Sequence, residues 1–165
     1  MDVAIERLSD VASGDVAGLL ADSERLESRI VRRLVDEWVS GANRFDRPGE
    51  VLFGVRGARR LLGVCGLNVD PYAGDDRVGR VRHLYVLSTS RRQGLGRRLV
   101  LRVIQATRGR FDDLRLHTSN PEAARLYETL GFMPCSERVD YTHVAKVTTL
   151  LSLAEQRNGY RESRI

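Results

Sequence analysis

The chain has few of the residues that would staple or span. Only two of its 165 residues are cysteine, Cys65 and Cys135. They are far apart and form no C-x-x-C pattern, so neither a disulfide framework nor a zinc site is expected, and a reducing cytoplasm is the default compartment. A chain of this length buries roughly 68–70% of its unfolded surface and needs no such staple. No apolar run approaches the ~20 residues of a membrane span. The first residues, Met1 to Arg7, lack the apolar stretch of a secretory signal. Lysine is nearly absent. Lys146 is the sole one, so arginine carries almost all of a net charge of +5 and a pI near 9.7. The plainer reading of this is a codon bias, and attraction to phosphorylated or other anionic ligands is the functional one. No block of five like charges occurs, so a nucleic-acid-binding arm is not indicated.

With 42% hydrophobic and 30% charged residues the composition is that of one globular domain. Val3–Leu8 alternates as a strand. Helices are expected over Val11–Ala21 and over Glu24–Ser40, the latter with Leu26, Ile30, Leu34, Val35 and Trp38 in a stripe and Gly41 as its stop. Val51–Arg56 and Leu61–Leu67 read as a hairpin, followed by a turn-rich loop from Asp70 to Asp76. Then come a strand (Val81–Leu87), a helix (Leu95–Thr107), a strand (Leu114–Thr118) and a helix (Glu122–Leu130). Phe132–Cys135 and Thr142–Leu150 read as final strands, and 158–165 as a frayed tail after one domain over 1–157. The sum is an α/β domain with an antiparallel N-terminal sheet.

Chemistry concentrates after the Val81–Leu87 strand, in Arg91-Arg92-Gln93-Gly94-Leu95-Gly96-Arg97. Glycines here open a helix, whose first turn presents backbone N–H groups without internal partners at the positive end of the helix dipole. Gly94 and Gly96 let an anion approach the backbone, and arginines flank them. A Walker loop is excluded because no Gly-Lys-Ser/Thr follows. A dinucleotide fingerprint would place glycine or alanine where Leu99 stands. The plainer reading is a glycine-bearing helix start with no ligand.

A second segment shifts that balance. Asn120-Pro121-Glu122 combines a good N-cap with proline at the first helical position, and Leu126-Tyr127-Glu128-Thr129-Leu130-Gly131-Phe132 ends the same helix. Together the two segments resemble the motifs of the GNAT superfamily of acetyl-CoA-dependent N-acetyltransferases. Arg91 to Gly96 is similar to its Arg/Gln-x-x-Gly-x-Gly/Ala motif, and Asn120 to Phe132 to its Asn…Leu-Tyr-x-x-x-Gly-Phe motif. They occur in the family's order, and the likeness extends from about Val3 to Leu150.

The resemblance implies a mixed, mostly antiparallel sheet of about seven strands flanked by about four helices, its fourth and fifth strands splayed. It implies acetyl-CoA as acyl donor and a primary amine as acceptor, joined by direct attack in a ternary complex. Backbone groups of Leu84, Tyr85 and Val86 would pair with pantetheine. Amides of Arg91, Arg92, Gln93, Gly94, Leu95 and Gly96, with Arg97, would hold the pyrophosphate. Asn120 would contact the cofactor arm or order its helix, and Tyr127 would stand near the sulfur as the catalytic group. The plainer readings are a helix cap for Asn120 and core packing for Tyr127. A phenol is a weaker acid than a thiol, so full proton donation is uphill by roughly 2 kcal/mol and a hydrogen bond to the leaving sulfur is the expected role. The strand amide near Val86 is the candidate oxyanion donor.

Relatives often carry a Glu or His base on the fourth strand. By alternation the matching positions here are Arg80 and Arg82, in phase with Leu84 and Val86, while His83 faces away unless a bulge turns it. Arg80, Arg82, Trp38 and Tyr72 are the candidate acceptor residues, the arginines for a carboxylate or phosphate. His117 and His143 read as ordinary strand residues. No metal, membrane or nucleic-acid partner is expected, and homodimerisation is a family-level expectation. Two other readings remain at this point: a non-catalytic acyl-CoA-binding module with the same cradle, and a basic nucleic-acid-binding protein supported by charge alone.

Overall fold

The computed structural model describes residues 2–11 and 14–162. Seven strands form one sheet: β1 (Val3–Arg7), β2 (Val51–Gly57), β3 (Arg60–Val69), β4 (Val78–Val86), β5 (Asp113–Leu116), β6 (Met133–Pro134) and β7 (His143–Lys146). Their order is β1-β2-β3-β4-β5-β7-β6. Five α-helices accompany them among the described residues: α1 (Ala17–Arg25), α2 (Ile30–Ser40), α3 (Leu95–Ala106), α4 (Pro121–Leu130) and α5 (Val147–Glu162). The chain divides into two compact units, residues 1–68 with 81–103 and residues 69–80 with 104–165.

In the first unit β1 and β2 pair antiparallel (Val3↔Gly57), as do β2 and β3 (Phe53↔Cys65). The β2–β3 hairpin turns on Ala58 and Arg59, both with positive φ (50° and 66°), the conformation a two-residue hairpin demands even without glycine. Leu52, Val55, Val64, Leu67 and Leu99 fill its core. Gly63 and Gly66 are required there: a Cβ would stand 2.9 Å from the Tyr85 carbonyl at Gly63 and 2.4 Å from Phe45 at Gly66.

The continuous helix expected over Glu24–Ser40 is two helices. The chain breaks at 26–29, where Glu27 has φ +58°. The Ser28 N–H donates to the Ser23 carbonyl and the Ser23 hydroxyl to the Ser28 carbonyl, both at 2.9 Å. This local bonding outcompetes the helix ladder and leaves Leu26 and Ile30 on the surface. The helix expected from Val11 begins regularly at Ala17 after a 3-10 turn over Gly14–Val16; Ala12 and Ser13 lie outside the described residues.

In the second unit β4 pairs parallel with β5 from Val78↔Asp113 to Arg80↔Arg115, and β5 pairs antiparallel with β7. Phe111, Leu114, Leu116, Leu130, Phe132 and Leu150 are buried. The final strand stops at Lys146, and the residues expected to extend it to Leu150 start α5 instead. Val147, Leu150 and Leu151 are buried at helical spacing, so the apolar set obeys a period of 3.6 despite two β-branched threonines. Once nucleated, α5 runs on to Glu162 through the stretch read as a frayed tail, because each added residue gains a hydrogen bond at small cost. Residues 163–165 lie outside the described ones.

Candidate active site

β4 pairs with β5 only from Val78 to Arg80 and then continues to Val86. Leu84, Tyr85 and Val86 lie in that continuation. At its end Leu87 donates to the Leu62 carbonyl (2.8 Å), and a 3-10 turn over Ser88–Ser90 leads into the glycine loop. Arg91, Arg92, Gln93 and Gly94 are exposed, and Leu95, whose side chain is buried, opens α3. Arg92 and Gly94 both have positive φ, 63° and 77°, which turns the backbone sharply just before the first helical turn. A Cβ on Gly94 would meet nothing within 4 Å, so this loop is open where an anion would approach. The first-turn N–H groups that follow lack intrahelical acceptors. A loop of this conformation and exposure can accept an anion.

Asp22, on α1, fixes the approach to this loop. Its carboxylate accepts from the Tyr85 hydroxyl (2.7 Å), the Ser88 N–H (2.9 Å), the Ser88 hydroxyl (2.5 Å) and Arg25 (3.0 Å). Burial pushes the Asp22 carboxyl up, but hydrogen bonds from Ser88, Tyr85 and Arg25 outweigh it and hold the group well below the usual carboxylate range. The same contact and burial push the Tyr85 phenol up to about 12, so it stays a donor. Arg91 lies over the Tyr85 ring at 5.3 Å and donates from Nε to the Val86 carbonyl at 2.9 Å. Nothing in the sequence spacing links Asp22 to residues 63 and 66 positions downstream, and sequence reasoning missed it.

Alternation along β4 fails at His83, whose φ of +58° interrupts the pleat. The consecutive residues Arg82 and His83 consequently reach one carboxylate, Glu37 of α2, at 3.0 Å and 3.4 Å. The bulge turns His83 back toward Arg82's partner, which corrects the strict-alternation placement. The hydrogen bond to His83 and the charge of Arg82 outweigh burial and hold Glu37 down at about 2. Burial holds His83 below the usual histidine value despite Glu37 beside it, so the ring is neutral at pH 7 with the negative charge on Glu37. Glu37 was not among the sequence candidates. On α2 it reads as one more acidic residue of a polar helix face.

The other motif lies in the second unit. Asn120 caps α4, its side-chain oxygen accepting from the Glu122 N–H (2.9 Å) and the Ala123 N–H (3.4 Å), with Pro121 at the first helical position. Gly131 ends the helix at φ +116°. Tyr127 is buried. Its ring meets Phe132 edge-on at 5.6 Å and lies 6.5 Å from the His143 ring. His143 in turn contacts the Thr142 hydroxyl through Nδ1 (2.9 Å) and Glu128 through Nε2 (3.4 Å).

Of the acceptor candidates, Trp38 is half-buried on α2 and its carbonyl accepts from Arg44 Nε at 2.9 Å. Tyr72 is 64% exposed, with the Arg80 guanidinium 5.0 Å over its ring. Arg80 is buried against Asp70, and Arg82 is engaged by Glu37.

An exposed glycine loop at the start of a helix, following a strand of a mixed sheet, is a place where an anion can meet free backbone donors. Residues 20–132 match the model of the acetyltransferase (GNAT) family. The chain is similar to the crystal structure of a putative acetyltransferase from Exiguobacterium sp. 255-15, with 28% identity and a TM-score of 0.79 over 92% of this chain and 98% of that one. It shares its fold with an N-acetyltransferase from Staphylococcus aureus Mu50 (16% identity, TM-score 0.67, 89% and 99% covered). The same fold appears in the PaiA N-acetyltransferase from Thermoplasma acidophilum in complex with coenzyme A (18% identity, TM-score 0.63, 87% and 98% covered). No curated protein matches the chain. The chain belongs to the GNAT acetyltransferase family.

Proposed function

We propose that the protein is an N-acetyltransferase that moves the acetyl group of acetyl-CoA to a primary amine, working as one domain over residues 1–157 in the cytoplasm. The observation that carries this reading is the open loop from Arg91 to Gly94, with positive φ at Arg92 and Gly94, set at the start of α3 in a chain of this family.

Bound acetyl-CoA supplies an acyl carbon activated by its thioester. Amides of Arg91 to Gly96, with Arg97, hold its diphosphate, and the main chain of Leu84, Tyr85 and Val86 pairs with the pantetheine arm. The oxyanion donor is the strand amide near Val86. Asn120 keeps the first turn of α4 in place, and that helix carries Tyr127. The Tyr127 phenol hydrogen-bonds the departing sulfur. The proton lost by the amine goes to neutral His83, which Glu37 orients and whose positive charge Glu37 would offset. The C–N bond forms first, giving a tetrahedral intermediate whose collapse breaks the C–S bond, and the proton that His83 took from the amine passes on to the departing thiolate. Alignment of the two reactants supplies most of the rate gain, so no metal is needed.

The test is release of free thiol from acetyl-CoA on addition of members of an amine panel. Acetyl transfer with at least one amine is expected, and binding of acetyl-CoA without turnover on any amine would instead favour a non-catalytic binding module. Tyr127→Phe should lower kcat by about 10–100-fold with little change in acetyl-CoA affinity, the worth of a lost hydrogen bond to a charged group. Unchanged kcat would remove Tyr127 from the chemistry.

A further inference from the structure

The Asp22 carboxylate has no acceptor position left for a substrate. Oδ2 accepts from the Tyr85 hydroxyl (2.7 Å) and the Ser88 N–H (2.9 Å), and Oδ1 accepts from the Ser88 hydroxyl (2.5 Å) and Arg25 (3.0 Å). These donors fill the lone-pair positions of an ionised carboxyl group. The side chain is only 10% exposed, and of its donors Arg25 alone carries a positive charge. By charge alone such a group repels a second anion nearby. Yet it is bonded to the turn that leads straight into the exposed loop from Arg91 to Gly94. What it contributes there is therefore order rather than attraction.

Two arms run from Asp22 toward that loop, and all their residues belong to the first unit. One arm is Ser88. Its N–H and its hydroxyl both end on Asp22, and the hydroxyl also accepts from Arg25 at 3.1 Å. The upstream end of the loop is thereby pinned. Its downstream end is pinned by Leu95 and Leu99, buried in the first turns of α3. Between these pins Arg92 keeps φ at +63°, a left-handed conformation that a residue other than glycine holds only where its surroundings impose it. The other arm is Tyr85. Its phenol ends on Asp22, and the Arg91 guanidinium lies over its ring at 5.3 Å. Nε of Arg91 is spent on the Val86 carbonyl (2.9 Å), which leaves the terminal nitrogens of an exposed side chain for an outside anion. A guanidinium held by stacking and by one hydrogen bond loses less freedom on binding a diphosphate than an unrestrained one.

We infer that Asp22 is a positioning residue for the acyl donor. Through Ser88 it holds the shape of the diphosphate loop, and through the Tyr85 phenol it presets Arg91 against the diphosphate. The inference rests on the reading of that loop as the diphosphate site.

The experiment is calorimetry with coenzyme A and with pantetheine, which lacks the diphosphate and the nucleotide, on proteins whose folding is checked by circular dichroism. The native chain is expected to bind coenzyme A far more tightly than pantetheine. Asp22→Asn should raise the Kd for coenzyme A by about threefold to tenfold, the worth of one net hydrogen bond, and leave that for pantetheine nearly unchanged. Tyr85→Phe keeps the ring and removes only the phenol, so it carries the test if Asp22→Asn does not fold. Its effect on coenzyme A binding should disappear in an Arg91→Met background, because that arm acts through Arg91. Equal losses for coenzyme A and pantetheine, or additive effects of Tyr85→Phe and Arg91→Met, would overturn the inference, since mere packing at the strand end gives those results. Unchanged coenzyme A affinity in both variants would overturn it too, while leaving the diphosphate reading intact. A native chain that binds coenzyme A no better than pantetheine would remove the diphosphate reading and the inference together.

Discussion

His83 and Glu37 show how one residue's backbone angle sets another's chemistry. With φ at +58°, His83 shares Glu37 with Arg82. Both titrating groups have folded values below their ordinary ones, 6.5 for His83 and 4.5 for Glu37. Each therefore contributes stability that is complete above the unfolded value and is lost on acidification. For His83 the loss begins below pH 6.5, and for Glu37 it runs from 4.5 down through about 2. The Glu37 share is on the order of 2 kcal/mol after allowing for its partial exposure. Urea unfolding of Glu37→Gln should show lower stability than the native chain at pH 7 and a flatter fall below pH 4.5. Equal slopes for the two proteins would mean that Glu37 does not titrate as described. His83→Gln should lower kcat by roughly 10²–10⁴-fold if the imidazole is the base. A fall confined to KM would assign it to binding.

At the scale of elements, two glycines at helix ends separate conformation from packing. Gly94 has φ +77° and open space where a Cβ would be, so Gly94→Ala should cost only about 1–2 kcal/mol of fold stability. Its damage should fall on the loop, seen as weakened acetyl-CoA binding with a folded protein by circular dichroism. Gly131 has φ +116°, and a Cβ there would stand 2.7 Å from Leu153. Gly131→Ala should destabilise by about 2–4 kcal/mol, since overpacking adds to the backbone strain. A melting temperature for Gly131→Ala no lower than that of Gly94→Ala would contradict this ranking.

These ends were legible in the sequence because they are local. Asn120-Pro121 and Gly131 bracket α4, and Gly94 and Gly96 open α3, through contacts a few residues apart. The strand order that places β5 between β4 and β7 was not legible, and the resemblance implied only a mixed sheet with its fourth and fifth strands splayed. The Ser23–Ser28 break was hidden because the stripe from Leu26 to Trp38 runs through it. The Asp22 and Glu37 environments were hidden because each depends on partners far along the chain.

For the whole molecule the net charge of +5 has a kinetic consequence. Acetyl-CoA is anionic, so long-range attraction raises its encounter rate and salt weakens it as the screening length falls from about 30 Å at 0.01 M to about 10 Å at 0.1 M. Across that interval kcat/KM for acetyl-CoA should fall several-fold while kcat at saturation changes little. A salt-independent kcat/KM would show that steering plays no part. No metal-ligand cluster of His, Cys, Asp or Glu occurs among the described residues, and EDTA should leave the rate unchanged. A loss restored by added metal would refute the metal-free scheme.

The central claim is that backbone donors from Arg91 to Gly96 grip the diphosphate of the acyl donor. Isothermal calorimetry with acetyl-CoA tests it directly. A saturable heat is expected for the native chain, with a Kd raised several-fold or more in Gly94→Ala. Absence of heat at millimolar acetyl-CoA with folded protein, or an identical Kd for Gly94→Ala, would contradict it.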